Sequence, residues 1–461
     1  MSSTVESALA AADASLDASL ERLFHLLRIP SISTDPAYAA DCRRAAEWLV
    51  ESLGDAGFEA SVRDTPGRPM VVAKDHASDG PHILFYGHYD VQPVDPLSLW
   101  DADPFSPQLN DRHGHRVIAG RGSSDDKGQL MTFVEALRAW KHANGDLPIR
   151  ATILLEGEEE SGSPSLNPFL EAAADELRAD VAMICDTDMW DRETPAICSM
   201  LRGLVGEEVV ITGASQDLHS GMFGGPARNP NQVLAEIVAS LRNPDGSIAV
   251  EGFYDGIAEL PEEVAAMWRN LGFDGAKFLS DVDLAVPAGE KDRSILEQIW
   301  SRPTCEVNGM WGGYTGEGFK TVLPAKASAK ISFRLVAGQD PIRIRDAFRA
   351  HVRARLPADM KVEFHEHGAS PAVVMPIEGA FLRKALDALT EEWQKQAVVI
   401  GSGGSIPVAG SFKRILGMDS LLIGFAHADD RIHSPNEKYD LESFRRGIRS
   451  WVRIIDAMSR P

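Results

Sequence analysis

One stretch, ILFYGHYDVQP, constrains the chain more than any other, because an apolar strand pattern in it ends on two residues that suit a metal site. Ile83 to Tyr86 are β-branched, aliphatic and aromatic and are bounded by Gly87, which predicts a buried strand. His88 follows at the carboxyl end of that strand. Asp90, two residues on, can accept the other imidazole N–H and fix the tautomer, as metal-bound histidines require. A single H-x-D describes an ordinary polar pair equally well. Its weight comes from recurrence of the arrangement further along the chain.

Helical and strand patterns alternate around this stretch. Amphipathic helices are predicted over Val5–Leu27 and Ala39–Leu53, and strands over Met70–Ala73 and Ile83–Tyr86. Val117–Ala119 runs into GRGSSDDKG, and a long helix follows from about Gln129 to His142. The strand Ala151–Leu155 runs into EGEEESGS, and the strand Val181–Cys185 into DTDMW. Strands alternating with helices predict an α/β domain built on a mainly parallel sheet.

After about Arg202 the pattern changes. Leu204–Thr212 and Ala327–Leu335 read as strands, as does the short Val362–His365, and Gln232–Leu241 and Ile342–Leu356 read as helices. This block predicts a second domain with its own small sheet; the stretch between Asp245 and Pro303, with scattered Gly and Pro, has no clear period. Helix–strand alternation resumes from Gly379. Phe444–Met458 closes the chain as a helix carrying Phe444, Ile448, Trp451, Ile455 and Met458 on one face. The expected division is a first catalytic segment over 1–203, an inserted domain over 204–375 and a second catalytic segment over 376–461.

Four predicted strand ends carry imidazole or carboxylate groups: His88, Asp125, the pair Glu159–Glu160, and Asp186. Ligands of open α/β sheets bind beyond the carboxyl ends of the strands, so these groups can converge. Each alone also fits a cap or a solvated loop carboxylate. Packed together they need cations, and imidazole with carboxylate suits Zn²⁺ or Mn²⁺. His433, in RIHSPNEKY, is a fifth candidate from a polar loop before the last helix. The formal net charge of −22 excludes the basic face that a nucleic-acid partner demands. Cys42, Cys185, Cys198 and Cys305 form no C-x-x-C pair, which suits reduced thiols. No run of 18 apolar residues occurs and the N-terminus lacks a signal-peptide pattern, so the expected location is the cytoplasm.

The stretches GHYDVQP, GRGSSDDKG, EGEEESGS, DLHSGMFGG and HSPNEKY resemble those of the M20 metallopeptidases, especially the carnosinase-like and Cys-Gly dipeptidase branch. They run in that family's order from about His82 to Tyr439. The resemblance implies a zinc-peptidase-like catalytic domain with an inserted α+β lid or dimerisation domain, and a homodimer formed through the insert. It assigns His88 and Asp186 to a first metal, Glu160 and His433 to a second, and Asp125 to a carboxylate bridging both. It makes Glu159 the general base and expects a cis peptide between Asp125 and Asp126. Asp126 is then a neighbour rather than a ligand, and Asp188, two residues after Asp186, competes with it for the strand-end phase. Asp90 belongs to the catalytic group as the partner of His88.

The charges of such a site balance. Two divalent ions bring four positive charges; Asp125, Glu160 and Asp186 return three, and a bridging hydroxide the fourth. Bound metals lower the pKa of water and polarise a carbonyl, and an unligated Glu159 can move the water's proton to a leaving amine. The expected activity is hydrolysis of the amide bond of dipeptides with a free C-terminal carboxylate. N-acyl-amino-acid deacylation with the same metals is the alternative, and a non-catalytic metal-dependent binding protein a more remote one. A free Glu159 beside the ligands argues against the last. For the substrate, the resemblance points to His219 as an oxyanion donor from the partner subunit, to Arg334 as a carboxylate-binding fork, and to Thr321, His367 and Ser405. His/Asp/Glu ligands suit Zn²⁺, Mn²⁺ and Co²⁺ alike. GSGGSIP lacks the G-K-[ST] ending of a phosphate loop, no G-x-S-x-G elbow occurs, and His76, His113, His115 and His142 read as surface residues.

Overall fold

The computed structural model describes residues 4–112, 114–375, 377, 379–404 and 406–460. Two of the residues singled out above, His113 and Ser405, lie outside that range. The chain forms two compact units, one spanning Met1–Ser199, Met375–Ile400 and Ser411–Pro461, the other Met200–Val374 and Gly401–Gly410.

The first unit is built on a sheet whose strands run in the order Glu59–Arg63, Met70–Asp75, Arg150–Glu156, His82–His88, Val181–Ile184, Ser420–Ile423 and Ala196–Leu201, and Val398–Ser402 also pairs with Ala196–Leu201. Its middle is parallel: His82–His88 pairs in parallel with Arg150–Glu156 and with Val181–Ile184, and Val181–Ile184 with Ser420–Ile423. Its margins are antiparallel. Every residue of His82–His88 is buried, which is why the strand reads as a continuous apolar run and not as an alternation. The helix Lys127–Asn144 and the closing helix Leu441–Ser459 supply much of the core against it. Trp451 sets its ring edge to face against Phe85 and Phe133.

The single helix expected over Val5–Leu27 is two, Thr4–Ala14 and Leu16–Leu27. Between them the Ser15 hydroxyl donates back to the Ala12 carbonyl, the local competition by which serine loosens a helix. The edge strand Glu59–Arg63 escapes the sequence reading because none of its residues is fully buried and it carries no apolar run. Among the described residues no helix is long and apolar enough to cross a membrane. All four cysteines are buried and free.

The second unit contains an antiparallel sheet in the order Thr304–Gly312, Lys326–Leu335, Gly203–Thr212 and Lys361–Ser370. The helices Pro230–Ala239 and Pro341–Arg355 join it in one core, where Leu234 and Phe348 are buried with Ile331, Phe333 and Leu335. Alternation along Lys326–Leu335 buries Ile331, Phe333 and Leu335, while Ser332 and Arg334 stay half-buried on the opposite face. The aperiodic stretch after Asp245 holds three short helices, Glu262–Arg269, Gly275–Ser280 and Ile295–Trp300. The last of these begins with a capping box between Ser294 and Glu297.

Candidate active site

The first unit brings His88, Asp125, Glu160, Asp186 and His433 together. His88 ends its strand, and its Nε2 lies 3.0 Å from Asp125 Oδ1 and 3.9 Å from Asp186 Oδ2. His433 Nε2 lies 2.9 Å from Asp125 Oδ2 and 3.2 Å from Glu160 Oε2. Asp125 therefore turns one oxygen to each histidine. The five residues form two trios sharing Asp125, and within each trio the ligand-type atoms all lie within 4.8 Å of one another. Asp188 belongs to neither.

Local structure explains how Asp125 reaches this position. The buried carboxylate of Glu437 accepts the backbone N–H groups of Gly122, Ser124 and Asp125 at 3.0, 2.9 and 3.1 Å, and Arg121 Nη1 at 2.6 Å. The loop after His115–Ala119 is thereby wrapped around an anion. Gly122 has φ +80°, and a Cβ there would stand 2.6 Å from Val91 Cγ1, so the turn admits no side chain. The Asp125–Asp126 peptide bond is cis. Asp126 itself accepts the backbone N–H of His88 at 2.9 Å, beneath the site. The His433 loop is tied down by Asn436, whose side chain accepts from Asp101 N at 2.7 Å and donates to Leu99 O at 3.0 Å.

Asp90 links the histidine strand to the acidic turn. Its carboxylate accepts the backbone N–H of Glu159 at 3.2 Å and of Glu160 at 3.0 Å. The sequence reading gave its carboxylate the other imidazole N–H of His88. The nearer acceptor is the main-chain carbonyl of Asp90, 3.1 Å from Nδ1, with Oδ1 at 3.4 Å. Either contact leaves Nε2 to face Asp125 and Asp186.

Electrostatics and hydrogen bonding test whether cations fit. Burial, aided by the charges of Glu160, Asp90 and Asp125, pushes the Glu159 carboxyl up to about 7. Burial also holds Asp186 well above the usual carboxylate range. The carboxylates of Asp125 and Glu160 raise the His433 imidazole to about 10. Burial alone would lower His88, yet Asp125, Asp90 and Asp186 hold it well above the ordinary imidazole value. All four shifts describe an anionic cluster that draws in positive charge. His88 Nε2 is fully buried and its short approach to Asp125 lacks the direction of a hydrogen bond. A nitrogen lone pair placed among carboxylate oxygens in this way fits a metal ion between them.

The remaining predicted residues within the described range, His219, Thr321, Arg334 and His367, lie in the second unit. His219 and Thr321 are neighbours there: Leu218–His219 pairs with Val322–Leu323, and the Thr321 carbonyl accepts the Ser220 N–H at 3.0 Å. His219 Nδ1 accepts the Gly221 N–H at 3.0 Å, so in the neutral ring the proton sits on Nε2 and points outward as a donor. His367 is exposed, with Nε2 3.5 Å from Glu208 Oε2. Arg334 lines a cavity of about 500 Å³.

Sequence reasoning missed Glu437 and Gln92. Gln92 Nε2 donates to Glu160 Oε2 at 2.7 Å and so orients that carboxylate. Both lie inside stretches already singled out, GHYDVQP and HSPNEKY, and their polar side chains beside candidate ligands were the available signal.

The profile of peptidase family M20/M25/M40 matches residues 84–457. The chain is 29% identical over 470 residues to the Cys-Gly metallodipeptidase of Schizosaccharomyces pombe, covering 97% of each. Among solved structures it is similar to the dipeptidase Dug1p of Saccharomyces cerevisiae, at 27% identity and a TM-score of 0.82 over 100% of this chain and 99% of that one. It is also similar to an M20 family metallo-carboxypeptidase of Sulfolobus solfataricus, at 30% identity and a TM-score of 0.83 over 96% and 99%.

Proposed function

Because the chain belongs to peptidase family M20/M25/M40, we propose that it is a metallodipeptidase acting on dipeptides with a free C-terminal carboxylate. The observation that carries this reading is the division of Asp125, one oxygen toward His88 and the other toward His433. A bridging carboxylate of this kind belongs to a two-metal centre. His88 and Asp186 would hold one divalent ion, Glu160 and His433 the other, and Asp125 both. The nitrogen and oxygen donor set suits Zn²⁺ or Mn²⁺, with Co²⁺ as a working substitute.

When bound, the two ions supply a water of lowered pKa and a Lewis acid for the scissile carbonyl. The chain's own residues do the rest. Glu159 stands beside the trios without joining either, so its carboxylate is available to take a proton from the attacking water and pass it to the leaving amine. Asp90 fixes His88 through Nδ1 and the Glu159–Glu160 turn through two N–H groups. In this reading the second unit pairs with its copy in a homodimer, and His219 of the partner subunit donates from Nε2 to the developing oxyanion. The guanidinium fork of Arg334 holds the terminal carboxylate. Thr321, His367 and Ser405 complete the substrate contacts. The likeness to dipeptidases and to a carboxypeptidase supports a free carboxylate as the recognised end.

The test is a panel of free dipeptides, C-terminally amidated dipeptides and N-acyl amino acids, assayed on enzyme stripped of metal and reloaded. The reading expects metal-dependent turnover of free dipeptides and poor turnover of the amides. N-acyl amino acids cleaved faster than every dipeptide would transfer the assignment to deacylation.

A further inference from the structure

Lys127, in the stretch GRGSSDDKG, takes no part in the chemistry assigned above, yet it is one of the large side chains that are fully buried. It opens the helix Lys127–Asn144, two residues after Asp125. Its Nζ donates to two main-chain carbonyls, Leu26 O at 3.1 Å and Ile29 O at 2.7 Å. Both acceptors lie at the end of the helix Leu16–Leu27, where the negative end of the helix dipole favours a cation. Burial lowers the Lys127 ammonium to about 7, while negative charges that include Asp90 and Glu437 oppose the shift. Burying an ammonium is costly, and an apolar side chain of similar length would serve packing better.

The chain that Lys127 grips leads directly to the candidate metal centre. The Ser31 hydroxyl donates to the Tyr89 carbonyl at 2.6 Å, and the Val91 N–H donates to the Ser31 carbonyl at 3.0 Å. Ile32 also bridges Val91 in parallel. Residues 26–32 therefore meet the Lys127 ammonium at one end and the main chain on both sides of Asp90 at the other. The lysine stem packs where these segments join: a Cβ on Gly122 would stand 2.6 Å from Val91 Cγ1 and 3.3 Å from Lys127 Cδ. The segments that present His88 and Asp125 are thus tied through a third, which supplies no member of either trio.

We propose that Lys127 is a positioning residue for the metal centre, drawing residues 26–32 onto Tyr89–Val91 so that the His88–Asp90 segment and Asp125 keep their separation. The inference rests on the two-metal reading of the trios. An apolar chain at 127 would fill the space and leave the Leu26 and Ile29 carbonyls without this donor. His88 Nε2 and Asp125 Oδ1, 3.0 Å apart, would then lose a constraint on their relative position. An ion held by both at fixed ligand distances is sensitive to a shift of that kind.

The experiment compares native protein with Lys127→Met and Ser31→Ala, which release residues 26–32 at opposite ends. Each is measured for Zn²⁺ and Mn²⁺ affinity by competition with a chelator, for the visible spectrum of its Co²⁺-loaded form, and for its denaturant midpoint. Lys127→Met should bind metal about 10- to 100-fold more weakly, the usual cost of losing a residue that orients a ligand, and its Co²⁺ spectrum should change. Ser31→Ala should shift affinity and spectrum in the same direction by a smaller factor. If Lys127→Met does not fold, Ser31→Ala decides alone, since it removes a single hydroxyl. A lowered midpoint with native affinity and a native spectrum overturns the inference, because a lysine that serves only the fold gives that pattern. Native protein that takes up no divalent ion refutes the two-metal reading, and the inference falls with it. Native uptake that both substitutions leave unchanged refutes the inference alone.

Discussion

Asp90 accepts the backbone N–H of Glu160 at 3.0 Å, so the residue two places after one candidate metal ligand anchors the turn that presents another. The same carboxylate accepts the Glu159 N–H at 3.2 Å. Asp90 is buried, and its two carboxylate oxygens take one of those N–H groups each. The placement of Glu160, and of Glu159 beside it, therefore depends on a side chain that belongs to neither trio.

For this reason Asp90→Ala should weaken metal binding by about 10- to 100-fold, the usual cost of losing a partner that orients a ligand. All five ligand-type residues would remain. Competition with a chelator of known affinity measures the change. An Asp90→Ala enzyme that holds both ions as tightly as the native one would show that the turn keeps its shape unaided.

Glu437 makes a separate prediction about stability. Its side chain is fully buried and Arg121 is 2% exposed. Glu437→Ala would leave that guanidinium and three loop N–H groups without their acceptor. Breaking a buried pair from one side costs about 3–5 kcal/mol. The denaturant midpoint should fall accordingly, with the Asp125 loop loosened. A midpoint within error of native would mean that water replaces the carboxylate at no cost.

Much of this architecture was readable before any coordinates. Parallel strands buried on both faces betray themselves as apolar runs, and His82–His88, Arg150–Glu156 and Val181–Ile184 all do. Because ligands gather at the carboxyl ends of such strands, the proximity of His88, Glu160 and Asp186 follows from the strand pattern alone. Three features did not follow. The edge strand Glu59–Arg63 has no buried face to give it a period. The break at Ser15 depends on one hydroxyl choosing a backbone acceptor within an otherwise continuous amphipathic pattern. Glu437 reads as a surface carboxylate in HSPNEKY because its partners, Arg121 to Asp125, lie more than 300 residues away in sequence.

The proposed sharing of the active site between subunits gives a complementation test. His219→Ala and Glu159→Ala should each be nearly inactive, since one oxyanion donor is worth about 10²–10³ in kcat. A mixed dimer of the two, purified through two different tags, contains one site with an intact Glu159 and an intact His219 of the partner subunit. That site should recover activity. A verified heterodimer without turnover would place His219 in service of its own chain, and a fully active monomer would remove the sharing altogether.

The central claim is that two metals and an unligated Glu159 divide the work, and metal content measured together with turnover tests it most directly. Purified Glu159→Gln should bind two divalent ions per chain and lose about 10²–10⁴ in kcat, because a carboxamide cannot accept the proton. Asp125→Ala, measured in the same way, should fall short of two ions, since its carboxylate faces both histidines. A Glu159→Gln enzyme stripped of metal beside a fully loaded Asp125→Ala enzyme would contradict the account.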